Sequence, residues 1–190
     1  MSVTTAVSRL AWSPLAIAML SAVASCAPRP ATAVVLRFST DVDAARIRRV
    51  TLALRWDEPG ATDFATREYI IGGGTAGLRF PGTVVVAPVD ARASALTSRA
   101  LRVESTMFVA NADGTTRSYV TARALVRLTE ERTVSVDLAF ADLCGSSATS
   151  ARCTSAESCA VFGGEARCAP LVVQERLPDY TPDASLTARE

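Results

Sequence analysis

The feature that most constrains the fold of this chain is an alternation of apolar and more polar residues that recurs between Ala33 and Phe140. Side chains of an extended strand point alternately to opposite faces, so each alternating segment has one apolar face. This pattern predicts half-buried antiparallel strands. The clearest segments are residues 34–38, 50–56, 120–128 and 134–140, and further strand candidates are residues 67–71, 78–80, 83–87 and 99–110.

The connections between these segments favour a strand-rich domain without helices. The sequence Asn-Ala-Asp-Gly at residues 111–114 is typical of a hairpin turn, because glycine adopts a positive φ without steric cost. Glu130 and Glu131 mark a second tight connection. Residues 92–100 could form either a helical turn or an alanine-rich loop. We expect an all-β fold, with residues 33–141 forming an antiparallel two-sheet sandwich of immunoglobulin-like or prealbumin-like type.

The charged residues exclude several classes of function. All 20 basic residues are arginine, and the chain contains no histidine. Catalytic Ser-His-Asp, Cys-His and Ser-Lys arrangements are therefore excluded, as are histidine-ligated zinc and haem. Without its first 25 residues the chain carries 19 basic and 19 acidic residues, a balance that argues against nucleic-acid binding. No cofactor is expected.

Residues 1–25 have the composition of an export signal. Arg9 is the only charged residue before Cys26, and it precedes an apolar run at residues 15–20 that is too short to span a bilayer comfortably. The run ends in Val23-Ala24-Ser25-Cys26, which resembles the lipobox of bacterial lipoproteins. The resemblance implies cleavage before Cys26 and its modification with acyl chains such as palmitate. The alternative is an ordinary secretory signal cleaved near Ala24.

The lipoprotein resemblance implies a membrane anchor and a location. Several acyl chains, each contributing about 0.8 kcal/mol per buried CH₂ group, hold a protein on a membrane without a spanning segment. Ala27 follows the cysteine in place of the Asp that retains many lipoproteins in the inner membrane, so the resemblance favours the outer membrane. Residues 26–32 would form the lipidated cysteine and a proline-containing tether. The domain would face the periplasm or the cell surface.

Four further cysteines lie within 25 residues after the last predicted strand, in a segment with few large apolar residues. In an exported chain they predict two disulfides in a crosslinked knob, residues 142–170, with three connectivities possible. We expect the crossed pairing Cys144–Cys159 and Cys153–Cys168, because crossed bridges constrain such a segment most tightly. A four-cysteine zinc site is the rival, although the spacing lacks paired C-x₂-C motifs. Residues 153–168 also loosely resemble small cysteine-rich modules of exported lipoproteins. Residues 171–190 are expected to form a flexible tail.

A glycine-rich segment at residues 72–77 matches the dinucleotide-binding pattern G-x-G-x-x-G. That chemistry requires a helix to begin directly after the glycines, because its amide groups hold the pyrophosphate. The chain continues instead as Leu-Arg-Phe-Pro-Gly at residues 78–82. We therefore interpret the segment as a loop between strands.

Acidic and basic clusters offer weaker indications of a site. Asp41 and Asp43 follow the first strand, and Asp57, Glu58 and Asp63 follow the second. Such carboxylates could converge on Ca²⁺ or form a glycosidase pair, but the expected state is solvated loop acids. A basic cluster could bind anionic polymers or block pairing at a sheet edge, and the second use is expected. Its members are Arg46, Arg48 and Arg49.

The candidate binding surface is aromatic: Trp56, Phe64 and Tyr69 lie near the glycine-rich loop and could stack on a sugar or contact a partner, although packing in the core or a loop is the commoner use of such residues. We expect a non-catalytic, lipid-anchored envelope protein that presents its sandwich for protein or polymer binding. The alternatives are a carbohydrate or surface-polymer binder and a glycan hydrolase with paired carboxylates. The partners are therefore a membrane, through Cys26, and an envelope protein or surface polymer. The sequence leaves the ligand and the oligomeric state open.

Overall fold

A computed structural model describes residues 32–72, 77–87, 99–146, 153–174 and 177–180. All of them belong to one compact unit, Ala31–Glu190. The predicted signal peptide and Cys26 lie outside the described residues, as do residues 92–98. The strands are β1 (Ala33–Thr40), β2 (Ile47–Trp56), β3 (Ala65–Ile70), β4 (Gly82–Val86), β5 (Ala100–Ala110), β6 (Thr116–Arg127), β7 (Thr133–Phe140), β8 (Glu157–Phe162), β9 (Glu165–Pro170) and β10 (Val173–Gln174), and one short helix, α1 (Asp142–Ser146), follows β7.

The expected all-β sandwich is confirmed. One sheet has the strand order β4-β1-β7, and the other has the order β10-β6-β5-β2-β3. We call them sheet 1 and sheet 2. Their inner faces contribute to a single apolar core, as the alternation predicts: β1 supplies Val34, Leu36 and Phe38 from sheet 1, and β2 supplies Val50 and Leu52 from sheet 2.

Two pairs of neighbouring strands are parallel, whereas the alternating pattern predicts antiparallel strands throughout. β1 runs parallel to β7 from Ala33 opposite Thr133 to Thr40 opposite Phe140, and β10 runs parallel to β6. Antiparallel pairing is enforced where a tight hairpin joins two strands. No hairpin joins β1 to β7, because the rest of the sandwich lies between them in the chain, so their relative direction is set by the sheet order.

Aromatic rings fill the centre of the core. Phe38 and Phe140 stack with centroids 6.0 Å apart, and Phe80 meets Phe140 edge-on at 6.0 Å. The Phe38 and Phe140 side chains are almost completely buried. Removing a buried phenylalanine side chain costs about 3–5 kcal/mol. These rings therefore fix the spacing between the neighbouring strands of sheet 1 and the loop before β4.

The loops agree in part with expectation. Residues 111–114 form the β5–β6 hairpin, with Gly114 at φ 81° and its amide donating to the Asn111 carbonyl. Glu131 has a positive φ of 54° in the connection from β6 to β7. The strand candidate at residues 78–80 is wrong. Only Leu78 makes a single bridge to Ile71, and the following Phe80-Pro81 peptide bond is cis.

The cysteine-rich knob lies against β6 and is held by the predicted crossed disulfides, Cys144–Cys159 and Cys153–Cys168. Cys144 belongs to α1 and is buried in the main core. The backbone amide of Arg123 donates to Ser158 Oγ, and its guanidinium donates to the Glu157 carbonyl. Since one half of a bridge is a core residue, the knob is fastened to the sandwich.

The expectation of a flexible tail at residues 171–190 is wrong for its described part. Val173 and Gln174 form β10 beside β6, and Leu177 is only 7% exposed. The Pro178 carbonyl accepts from Ser135, and the Tyr180 amide donates to the Thr133 carbonyl. The segment is ordered because its backbone forms hydrogen bonds with backbone groups of β6 and β7 that have no other described strand beside them. Residues 181–190 lie outside the described part of the chain.

Within the described residues, the sandwich thus has one covered side and one open side. The knob and the C-terminal segment cover the side bounded by β6 and β7, whereas β3 and β4 are the outermost strands of their sheets on the opposite side. Among the helices that the structure describes, none has the length and apolarity to cross a membrane.

Candidate functional site

A groove of about 500 Å³ opens between the edge strands β3 and β4. We call it the β3/β4 groove. Its floor consists of Leu52 and Leu54 of β2, which also belong to the core. Its walls are formed by side chains of the two edge strands and of the residues next to them. The wall residues are Phe64, Ala65, Arg67, Tyr69, Val84, Val85, Val86 and Ala87.

Strand register explains which side chains line the groove. On β3, Ala65 pairs with Leu54, Arg67 with Leu52 and Tyr69 with Val50. Because paired residues share one face of a sheet, these β3 side chains lie on the inner face. On β4, Val84 pairs with Leu36 and Val86 with Val34, so both valines are also on the inner face. The groove is thus the outer end of the core, left open where the two sheets separate.

The three aromatic residues predicted as a binding surface lie at this groove. Trp56 and Phe64 stack with centroids 5.2 Å apart, and Phe64 is 53% exposed. Tyr69 is partly buried against the core, and this burial raises the pKa of its phenol. Phe64 and Tyr69 line the groove directly, while Trp56 supports Phe64 from the end of β2.

An arginine and a carboxylate hold Trp56 in place. The Arg99 guanidinium lies 4.6 Å from the centroid of the Trp56 ring. The same guanidinium donates two hydrogen bonds, of 2.7 and 2.6 Å, to the Glu58 carboxylate. This interaction lowers the pKa of Glu58. Such contacts restrict the ring and leave Phe64 as the more accessible aromatic surface.

Of the groove residues that the structure describes, only Arg67 is charged. It lies on β3 beside Tyr69, and its positive charge acts on the phenol of that residue. Among the described residues it makes no ion pair, whereas its neighbour Glu68 is bound to Arg49 at 2.9 Å. A single cation therefore faces a predominantly apolar groove.

The carboxylates considered for catalysis or metal binding are not brought together. Asp57 pairs with Arg102, Glu58 pairs with Arg99, and Asp41 accepts the backbone amide of Asp142 at 2.5 Å. Asp43 accepts the amide of Ala45, and Asp63 does not line the groove. No group of three or more potential ligands exists within the described ranges.

The basic cluster is dispersed, and the expectation that it protects a sheet edge is wrong. β2 is an interior strand, lying between β5 and β3. Arg46 lies over the Tyr119 ring and contacts Asp142 at 3.4 Å, and Arg48 donates to the Ala45 carbonyl. Arg49 lies over Phe108 and pairs with Glu68. The three guanidiniums therefore serve separate local contacts.

The glycine-rich segment forms no helix in its described part. Gly72 follows β3 with a φ of 74°, and residues 78–81 are irregular before β4 begins at Gly82. Residues 73–76 lie outside the described ranges. The loop thus connects β3 of sheet 2 to β4 of sheet 1.

Sequence reasoning missed Arg67 and the whole of β4 as parts of the site. Val85 is 64% exposed, and no residue of β4 is charged. An uncharged, valine-rich edge strand is a detectable signal, because exposed edges usually carry charges that prevent pairing with other chains. The sequence alone did not indicate that this strand is an edge.

A second cavity, of about 390 Å³, lies between the sandwich and the knob. Much of its lining is alanine, contributed by β6, β7, β8 and β9. It also contacts Cys159, so it belongs to the interface that attaches the knob. It lacks exposed aromatic side chains, and the β3/β4 groove is therefore the stronger candidate site.

Comparison of the chain with protein-family models, with curated proteins and with solved structures yields no match. The assignment of the β3/β4 groove as the candidate site therefore depends on its lining residues and on the strand register.

Proposed function

We propose that this protein is a non-catalytic binding module of a bacterial cell envelope, anchored by lipid at Cys26, and that its ligand occupies the β3/β4 groove. The observation that carries the proposal is the asymmetry of the sandwich. One side is covered by the knob and the C-terminal segment, while the other exposes Phe64 and Val85 beside an apolar groove. Exposed apolar grooves with few polar groups are characteristic of binding sites.

The anchor part of the proposal is supported by the lipobox-like sequence ending in Cys26. With cleavage before this residue, six residues would separate the lipidated cysteine from the first strand, which begins at Ala33. The four crosslinked cysteines are consistent with export, since disulfides persist in oxidising compartments. An outer-membrane location is part of the same proposal.

The strand order also bears on the finer fold assignment. In the immunoglobulin constant fold the first and second strands share a sheet. Here β1 lies in sheet 1 and β2 lies in sheet 2. We therefore favour the prealbumin-like alternative of the two types considered. Because unrelated functions occur on one sandwich fold, this assignment does not specify a ligand.

The carboxylate contacts argue against the hydrolase alternative. A glycosidase needs one carboxyl group with a raised pKa as general acid. The Glu58 carboxylate has a lowered pKa because it is paired with Arg99, and Asp57 is paired with Arg102. Arginine thus favours the ionised form of Glu58, and Asp57 is engaged in an ion pair.

The proposal is tested by screening the full-length protein, in detergent micelles, against peptidoglycan, a glycan array and solubilised envelope proteins. We expect specific capture that is lost on Phe64→Ala. Phe162→Ala is the matched control, because Phe162 is similarly exposed, at 56%, but lies on the knob. Equal loss in both variants, or capture unaffected by Phe64→Ala, would contradict the groove as the site. Glycan turnover abolished by a change at Asp57 or Glu58 would instead support the hydrolase.

A further inference from the structure

We infer that the β3/β4 groove binds an extended, acidic peptide segment of a partner protein, which pairs through its main chain with β4 and adds a fourth strand to sheet 1. This inference rests on the proposed function, because it specifies the ligand of the same groove. Strand addition at a free sheet edge is an established mode of peptide recognition, in which main-chain hydrogen bonds give affinity and side-chain pockets give specificity.

The two edge strands beside the groove differ in how they are protected against pairing. Every second residue of an edge strand directs its N–H and C=O groups away from its single partner. β4 pairs only with β1 among the described strands and carries no charge over Gly82–Val86. β3 carries Arg67 and Glu68, and an inward-pointing charge such as Arg67 is a common protection against edge pairing. The unprotected edge is therefore β4.

The groove beside β4 has space for a further strand. A strand added there would continue sheet 1 over the groove, and every second side chain would point toward Leu52, Leu54 and Tyr69. These apolar surfaces suit aliphatic side chains at alternate positions. The remaining side chains would lie on the outer face, next to the exposed Val85. The groove can thus accommodate a peptide with the alternation of an ordinary half-buried strand.

The positive charge of Arg67 favours an acidic peptide. Arg67 lines the groove without an ion-pair partner in the described part of the chain, and no carboxylate lines the groove. A bound peptide would place an acidic side chain within reach of this guanidinium. Charge-assisted hydrogen bonds between arginine and carboxylate are stronger than neutral ones, and they become stronger still where apolar walls exclude water.

A peptide fits these features better than a sugar. In the described part of the groove lining, only Arg67 and Tyr69 carry polar side-chain groups, whereas a sugar presents many hydroxyl groups that require partners. The Trp56 ring, a candidate stacking platform, is already in contact with Phe64 and Arg99. Main-chain pairing would supply the hydrogen bonds that the side chains lack.

The test uses the full-length protein in micelles and a fluorescent ten-residue peptide, Val-Thr-Val-Thr-Glu-Thr-Val-Thr-Val-Thr, whose odd positions put valines and one glutamate on the same face. We expect saturable binding by fluorescence anisotropy, at least tenfold tighter than that of the same peptide with lysine in place of glutamate. Two further peptides carry N-methyl groups on all odd-numbered or on all even-numbered residues. Since successive amides of a strand point to opposite edges, at least one of these peptides should bind tenfold more weakly. Amide exchange should slow on β4 when the unmodified peptide binds.

Variants separate the contribution of Arg67 from a general effect of charge. Arg67→Gln should weaken binding about tenfold, while Arg127→Gln, which removes an exposed arginine at the far end of β6, should leave it unchanged. Unchanged affinity for both N-methylated peptides, or slowed exchange on β3 without β4, would overturn strand addition. Failure of all peptides, with envelope capture still dependent on Phe64, would overturn the inference and leave the proposed function standing. Failure of both would remove the groove as a site.

Discussion

At the scale of single residues, every basic side chain of this protein is an arginine. Many of the described arginines form ion pairs with carboxylates. Arg37 binds Asp137 through two hydrogen bonds of 2.7 and 2.9 Å, and Arg99 binds Glu58 in the same two-pronged way. Exposed pairs of this kind contribute little to stability, because water and salt screen the charges. Their larger effect is to orient loops, because each planar guanidinium fixes the direction of its partner.

The Arg99–Glu58 pair predicts a measurable acid sensitivity. Arg99 lowers the pKa of Glu58 in the folded protein, so the pair stabilises the fold above the carboxyl's ordinary pKa and ceases to do so as the pH falls through the folded pKa. We expect the urea midpoint to decline below about pH 4.5, and Glu58→Gln to reduce that decline. Arg99→Gln should remove the same increment. Because both groups are exposed, high salt should diminish it. An unchanged pH profile in both variants would contradict the role assigned to the pair.

The aromatic part of the site was accessible to sequence reasoning, whereas its charge was not. Trp56, Phe64 and Tyr69 follow one another around the β2–β3 connection, so their proximity is largely a local matter. Arg67 resembles any polar residue of an alternating strand. Its inward position follows only from the pairing of β3 with β2, and its isolation follows from the absence of carboxylates on β4.

At the scale of elements, the knob depends on crosslinks more than on its own apolar residues. β8 and β9 form a two-stranded hairpin, and such a hairpin is at best marginally stable alone. Each disulfide closes a separation of 15 residues. In the chain-entropy description, a bridge over such a loop contributes about 3 kcal/mol by constraining the unfolded chain.

Removing the Cys153–Cys168 disulfide is therefore expected to destabilise the protein. The double change Cys153→Ser with Cys168→Ser should lower the free energy of unfolding by about 3 kcal/mol, measured by urea denaturation. The change Cys144→Ala with Cys159→Ala should cost more, because Cys144 is also buried in the main core. Peptide mapping without reductant should find both crossed bridges. Free thiols or stoichiometric zinc in the native protein would contradict this account.

Strand positions and the hairpin at residues 111–114 were predictable, since alternation and turn chemistry are local properties. Sheet order was not, because it depends on which edges remain free after all strands have formed. The same reason explains the error at residues 171–180. That segment contains Pro178 and scattered charges, and the order of its described residues comes from the vacant edges of β6 and β7.

At the scale of the whole molecule, the C-terminal segment should stabilise the sandwich although it contains little regular structure. Leu177→Ala should lower the free energy of unfolding by about 2–3 kcal/mol, because the side chain is 7% exposed beside the core. Val172→Ala is the matched control in the same segment. Its side chain is 71% exposed, and the expected change is within about 0.5 kcal/mol. Equal, small effects in thermal or urea unfolding would show that the segment is not part of the cooperative unit.

The lipid anchor gives a prediction for the intact protein. Native protein should enter the detergent phase on phase separation, and mass spectrometry should find an acylated amino-terminal Cys26. Cys26→Ala should leave either an unprocessed precursor or a form that stays in the aqueous phase. An unmodified Cys26 in native protein that remains aqueous would contradict the anchor.

The parallel pairing of β1 with β7 has a consequence for how the chain is delivered. β1 is the middle strand of sheet 1, yet its parallel partner lies 100 residues further along the chain. When the chain leaves a ribosome or a translocation channel with its amino end first, β1 emerges before the other strands. Sheet 1 cannot be completed until β7 has also emerged, near the end of the sandwich. Such non-local topologies fold slowly. The emerging chain therefore remains unfolded and can pass through a narrow channel. Its apolar strand segments must be kept from associating with one another until β7 has emerged.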